Sequence, residues 1–187
     1  MSKQLLVLIV SCLYFSCGQE EPRPIANPTQ IERYFLLKDF VEEQLIKLDG
    51  AEVSKTTRIQ DEEEKTVQQF GVEEWRRELH IFIQADINKS SLATAYDTEK
   101  DSQSTIHRLK EGEKSPVQEI RVTHEGDKVS RISFVSRKEN FFYKSGSSGE
   151  LLMDTETGLL SSYKVSGYQD VWFLSPNEMT VAGEIVP

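Results

Sequence analysis

From Leu92 onward the apolar residues recur in twos. Ile120, Val122, Ile132 and Phe134 interleave with Arg121, Thr123, Arg131 and Ser133 on either side of Glu125-Gly126-Asp127-Lys128, the pattern of a hairpin with a tight turn. Short runs follow at 141–143, 151–153, 159–166, 169–174 and 179–185. Between them, Ser145-Gly146-Ser147-Ser148-Gly149, Gly167 and Ser175-Pro176-Asn177 read as turns. Connections this short exclude parallel pairing, which needs a crossover of about a dozen residues or more. The second half of the chain is therefore expected to form an antiparallel sheet with one buried and one wet face.

The first half carries helical periods. Thr29 and Glu32 have capping-box spacing, and Tyr34, Leu37, Val41, Leu45 and Leu48 then make one apolar stripe that stops at Asp49-Gly50. Residues 52–60 and 65–70 read as a hairpin with the acidic tip Asp61-Glu62-Glu63-Glu64. A second helix is expected over 72–86, with Trp75, Leu79, Phe82 and Ile83 on one face and Asp86-Ile87-Asn88-Lys89 as its end. The expected fold is α+β: an antiparallel β-sheet of about seven to nine strands covered by two amphipathic helices.

Ahead of this domain there is no charge between Lys3 and Glu20, and the apolar core of that interval, residues 5–15, is too short for the roughly 20 residues of a transmembrane helix. One cation followed by such a run is the layout of an export signal. Leu13-Tyr14-Phe15-Ser16-Cys17-Gly18 resembles the lipobox of bacterial lipoproteins, and the resemblance implies acylation of Cys17 after removal of residues 1–16. Ile9-Val10-Ser11-Cys12 is the rival, making Cys12 the alternative; it leaves an apolar run shorter than the usual 7–15 residues. Cleavage after Gly18 is a third route and would release the protein. Gly18-Gln19-Glu20-Glu21 looks like the acidic export signal of surface lipoproteins of the Bacteroidota. A solvated spacer has the same composition. Three prolines in PRPIANPT at 22–29 suit an extended tether. The expected organisation is a signal at 1–16, a lipidated cysteine and acidic, proline-bearing tether at 17–29, and a single domain at 30–187.

Residues 29–187 resemble the small uncharacterised outer-membrane lipoproteins of Bacteroidota, on Trp75, on Asp86-Ile87-Asn88-Lys89 and on Tyr163-Lys164-Val165-Ser166-Gly167-Tyr168-Gln169. That likeness implies an envelope address, at the periplasmic or the outer face, and no assigned activity.

Chemistry-bearing patterns are thin. His80, His107 and His124 lack zinc spacing, and both cysteines lie in or at the end of the export signal. The glycine–serine run is no nucleophile elbow. Asp154-Thr155-Glu156-Thr157-Gly158 lacks the terminal carboxylate of a calcium loop and reads as a turn. No catalytic residue, cofactor or metal site is expected. The net charge of −9 argues against nucleic acid. The expected role is a non-catalytic, lipid-anchored binding module that engages another envelope protein, with Tyr96, Tyr168 and Trp172 as candidate contacts and core packing as the commoner fate of Trp172. The alternative is a carrier of a hydrophobic ligand in a half-barrel cavity lined by Phe82, Phe134 and Tyr163.

Overall fold

The computed structural model describes residues 30–173 and 176–186. Cys12, Cys17, Thr29 and the whole signal and tether lie outside them. The described chain runs α1 (Leu37–Lys47), β1 (Glu52–Ile59), β2 (Glu62–Gln69), α2 (Val72–Glu78), α3 (His80–Gln84), a 3-10 turn (Ser90–Leu92), β3 (Tyr96–Lys100), β4 (Ser104–Leu109), β5 (Val117–Glu125), β6 (Lys128–Glu139), β7 (Tyr143–Met153), β8 (Leu160–Val171) and β9 (Asn177–Val186). Among the described residues, nine strands form one open antiparallel sheet in the order β2-β1-β9-β8-β7-β6-β5-β4-β3.

Strands β3 to β9 are a meander of neighbours, as short turns require. The long-range pairing is β1 with β9, through Thr57↔Val181 and Lys55↔Gly183. This leaves β2 and β3 at opposite edges. Residues 70–95 must therefore cross the full width of the sheet, roughly 38 Å at ~4.8 Å per gap. Helices α2 and α3 and the 3-10 turn are that crossing.

The fold is broadly α+β as expected, but the helices are few and small and leave much of the sheet bare. A helix the length of α1 spans about 16 Å, whereas strands the length of β6 and β8 run about 40 Å. The expected second helix is two short ones broken at Leu79, whose φ and ψ of −93° and 8° leave the helical well. The first begins at Leu37, not at Thr29. Tyr34 precedes it in an extended entry segment held by Asn88, whose side-chain oxygen accepts from the backbone N–H of Arg33 (3.1 Å) and Tyr34 (2.9 Å). Leu36 offers no capping side chain, and Asp86 does that work from a distance by accepting from the Lys38 N–H at 3.0 Å.

Two turn assignments are also corrected. Residues 159–174, read as two strands, contain the single strand β8. The run 145–149 is mid-strand in β7, paired with both β6 and β8. Its glycines are there for space. A methyl on Gly149 would lie 2.3 Å from the Phe134 ring and 2.7 Å from that of Phe82, and one on Gly146 would lie 2.3 Å from Tyr168 on the opposite face.

Directly opposed residues of an antiparallel sheet share a face, so pairing traces the inner surface row by row. Val122, Ile132, Leu151, Tyr163 and Gly183 form one row. Ile120, Phe134, Gly149, Val165 and Val181 form the next. The helices lie over these rows: Trp75, Leu79 and Phe82 meet Phe134, Ile132 and Leu151 in one core and are fully buried. At ~25 cal/mol per Å2 of apolar surface, such burial is the main stabilising contribution.

Candidate functional site

Following the same strands past the helices, the inner face changes character. The next rows are Ser136, Ser147, Gly167, Met179 and Ile59, then Lys138, Ser145, Gln169 and Asn177. No helix among the described residues covers them. They lead to the end of the sheet where the β1–β2, β6–β7 and β8–β9 turns gather.

Two of those turns carry aromatic side chains into solvent. Phe141 and Phe142 sit in the β6–β7 turn, 92% and 61% exposed, and Trp172 and Phe173 in the β8–β9 turn, 76% and 65% exposed. Each pair is edge-to-face, with centroids 5.2 and 5.8 Å apart. The turns are joined by the Trp172 N–H donating to the Phe142 carbonyl at 3.3 Å. Asn140 shapes the first, its side-chain oxygen accepting from the N–H of Phe142 (2.8 Å) and Tyr143 (3.0 Å).

Beside this end a cavity of about 720 Å3 opens between α3, the 3-10 turn, the β4–β5 connection and the bare rows of β6 and β7. Ile81, Leu92 and Pro116 give it an apolar wall, Ile87, Val117 and Phe134 border it as buried side chains, and Ser136, Ser145 and Ser147 form a row of hydroxyls. Lys89, Lys114 and Lys138 also line it. The first described residue, Gln30, forms a bridge to Lys89, so the chain enters the domain beside this cavity.

The polar groups nearby are engaged in structure. Asp86, which lines the cavity, accepts from Lys38 N–H through one oxygen and from Asn88 N–H (2.7 Å) through the other. His107 is buried; its Nε2 accepts from the Phe35 N–H at 3.1 Å, so its Nδ1–H donates to the Thr98 hydroxyl at 2.8 Å. Burial pushes its pKa below the ordinary histidine value. Under α2, the Glu78 carboxylate accepts from Lys55 (2.6 Å) and from the Tyr163 hydroxyl (2.8 Å). Burial first, then that carboxylate, drive the Tyr163 phenol far above its usual range.

The residues singled out from sequence divide as follows. Phe82, Phe134 and Tyr163 are all buried, Phe82 edge-on to Phe134 at 5.3 Å, with Phe134 alone of the three reaching the cavity wall. Trp172 is outside rather than in the core, while Tyr96, expected outside, is 4% exposed and donates to the Val117 carbonyl at 2.7 Å. Tyr168 is half-exposed on the outer face, across Gly146, and His80 is exposed. Glu62, Glu63 and Glu64 belong to β2, and the Glu63 carboxyl is held below its usual range chiefly by hydrogen bonding to Arg58. Asp154 Oδ1 is occupied by the N–H of Glu156 (2.7 Å) and Thr157 (3.1 Å). Among the described residues no group of His, Cys, Asp or Glu could hold a metal ion. Sequence reasoning missed the three lysines, which come from separate segments with no shared spacing, and Phe141 and Phe142, which it assigned to a strand.

No helix among the described residues is long and apolar enough to cross a membrane. No known protein family, characterised protein or solved structure matches the chain.

Proposed function

We propose that this protein is a lipoprotein of the cell envelope, anchored in the outer membrane through acyl chains on Cys17, and that it acts without catalysis as a binding module for another envelope protein. The observation that carries the binding reading is the aromatic end of the sheet. Four large rings on two joined turns stand in water, although a soluble surface seldom gathers such a patch without a use for it. Buried aromatics dominate interface energetics, each removing roughly 150–250 Å2 from water. Their backbone is already ordered by Asn140 and by the bond between the two turns, so little conformational freedom would be lost on docking.

The anchor reading rests on the lipobox resemblance and on the proline-bearing tether. Two acyl chains, at ~0.8 kcal/mol per buried methylene, would hold the domain at the membrane where one chain would not. The carrier alternative asks for connected apolar space among Phe82, Phe134 and Tyr163. Their close packing weighs against it.

Two experiments test the reading in cells. A photo-crosslinking amino acid at Phe141 or Trp172 should yield one discrete protein adduct, while the same group at Asp127 or Glu156, in turns at the opposite end, should not. Equal adducts at both ends, or none, would refute the docking face. Incorporation of a clickable fatty acid should disappear in Cys17→Ser and persist in Cys12→Ser; the reverse result moves the anchor, and no incorporation removes it.

A further inference from the structure

The cavity beside the aromatic end has three chemistries in one enclosure: an apolar wall, a row of hydroxyls and a set of amines. Ile81 and Leu92, half-buried, and Pro116, exposed, offer apolar surface that a guest in the cavity could touch. Ser136, Ser145 and Ser147 are hydrogen-bond donors on the strand floor. The amines are gathered here as they are nowhere else among the described lysines. On a chain of net charge −9, Lys47, Lys55, Lys65, Lys110 and Lys144 each lie within ion-pair distance of a carboxylate. Of the seven described lysines with no carboxylate within 4 Å, Lys38, Lys100, Lys128 and Lys164 stand on four separate elements, while Lys89, Lys114 and Lys138 line this one cavity. The carboxylate that shares it, Asp86, has both oxygens taken by backbone N–H groups.

We infer that this cavity binds a single-chain amphipathic anion, its hydrocarbon against Ile81, Leu92 and Pro116 and its carboxylate or phosphate head among Lys89, Lys114 and Lys138. A volume of about 720 Å3 falls within the ~300–1,000 Å3 of small-ligand sites. Charge-assisted hydrogen bonds from the lysines and serines supply the head-group preference, and the apolar wall supplies the preference for a chain. This inference rests on neither the anchor nor the protein partner, so each can fail alone.

The test is titration calorimetry on the full chain carrying Cys12→Ser and Cys17→Ser, so that no attached acyl chain competes. The probes are dodecanoate, dodecyl phosphate, dodecanol and inorganic phosphate, each below its aggregation concentration. At least one of the two amphipathic anions should bind, and dodecanol and inorganic phosphate should bind at least about tenfold more weakly. The tighter of the two anions identifies the head group. Lys114→Gln with Lys138→Gln should weaken that anion about tenfold and leave dodecanol unchanged, and 0.5 M NaCl should weaken it in the parent protein. Ser147→Phe, which fills the floor, should abolish binding. Thermal melts report whether each variant folds, and if Ser147→Phe does not, the lysine pair decides. No binding, equal binding of dodecanol, or binding that survives the lysine substitutions (as attachment to the apolar leader would) overturns the inference.

Discussion

Two neighbouring rows on one face of one sheet make the sharpest contrast in this protein. Phe134 and Gly149 are opposed in one row, and Ser136 and Ser147 in the next, two residues along the same strands. Backbone, register and hydrogen bonding continue unchanged from one to the other. What changes is the cover: Phe82 of α3 packs on Phe134 and leaves no room for a methyl at Gly149. Beyond the reach of that helix the same face of β6, β7 and β8 turns to serine, lysine and glutamine. Strand structure here is indifferent to what lies above it, whereas side-chain chemistry follows the cover closely.

The two tryptophans test this contrast most strongly. Trp75 is fully buried against Phe70 and Tyr163, and Trp172 is 76% exposed at the bare end. Trp75→Ala should cost about 3–5 kcal/mol by urea unfolding, and Trp172→Ala should stay within about 0.5 kcal/mol. Comparable losses at both would mean that the bare end is covered in solution.

Gly149→Ala should cost about 1–3 kcal/mol through overpacking against Phe134 and Phe82. Two residues away, Ser147→Ala should be almost neutral in the same urea titration. A neutral Gly149→Ala would show that α3 can lift off the sheet.

A smaller effect is expected from pH. His107 sits in the covered half with its pKa depressed by burial, so the unfolded chain takes up a proton that the folded chain refuses. Stability should therefore fall as pH drops below ~6.5, the unperturbed histidine value. The urea midpoint of the parent should decline between pH 7.5 and 5.5, and that of His107→Gln should decline less. Identical pH profiles would place the sensitivity elsewhere.

The smallest effect lies at the bare end, at Gln60, whose φ of +53° opens the β1–β2 turn. Gln60→Gly should relieve left-handed strain, stabilise the fold by roughly 1 kcal/mol or less and so raise the melting temperature slightly. A lowered melting temperature would mean that the Gln60 side chain contributes more than its backbone strain costs.

How much of this was legible beforehand varies by residue. The hairpin around Glu125-Gly126-Asp127-Lys128 was readable because alternation and a turn glycine, with φ of +60° at Gly126, are both local. The run 145–149 was misread because its composition is that of a turn, while the reason for its glycines lies in Phe82, Phe134 and Tyr168, elsewhere in the chain. Trp172 and Tyr96 were exchanged between core and surface for a similar reason, since hydrophobicity alone does not say which end of a strand is covered. Asn88 was expected at a helix end, but α3 closes at Gln84 and Asn88 instead holds the entry segment through hydrogen bonds that carry no local signal. At the candidate site, Ser145 and Ser147 of the floor were visible only as part of a turn, and Lys89, Lys114 and Lys138 carried no signal at all.

Taken alone, the sequence determined that the second half of the chain is built of strands, that they pair antiparallel, and that the molecule is acidic. Each follows from a two-residue repeat, short connections or simple counting, and needs no knowledge of distant residues. Tertiary structure decided that β1 pairs with β9, where residues 70–95 cross, and so which half of the inner face is sealed and which is left bare beside a lysine-lined cavity. The pleat is a local property of the backbone. The path of the crossing is set only when both sheet edges are in place.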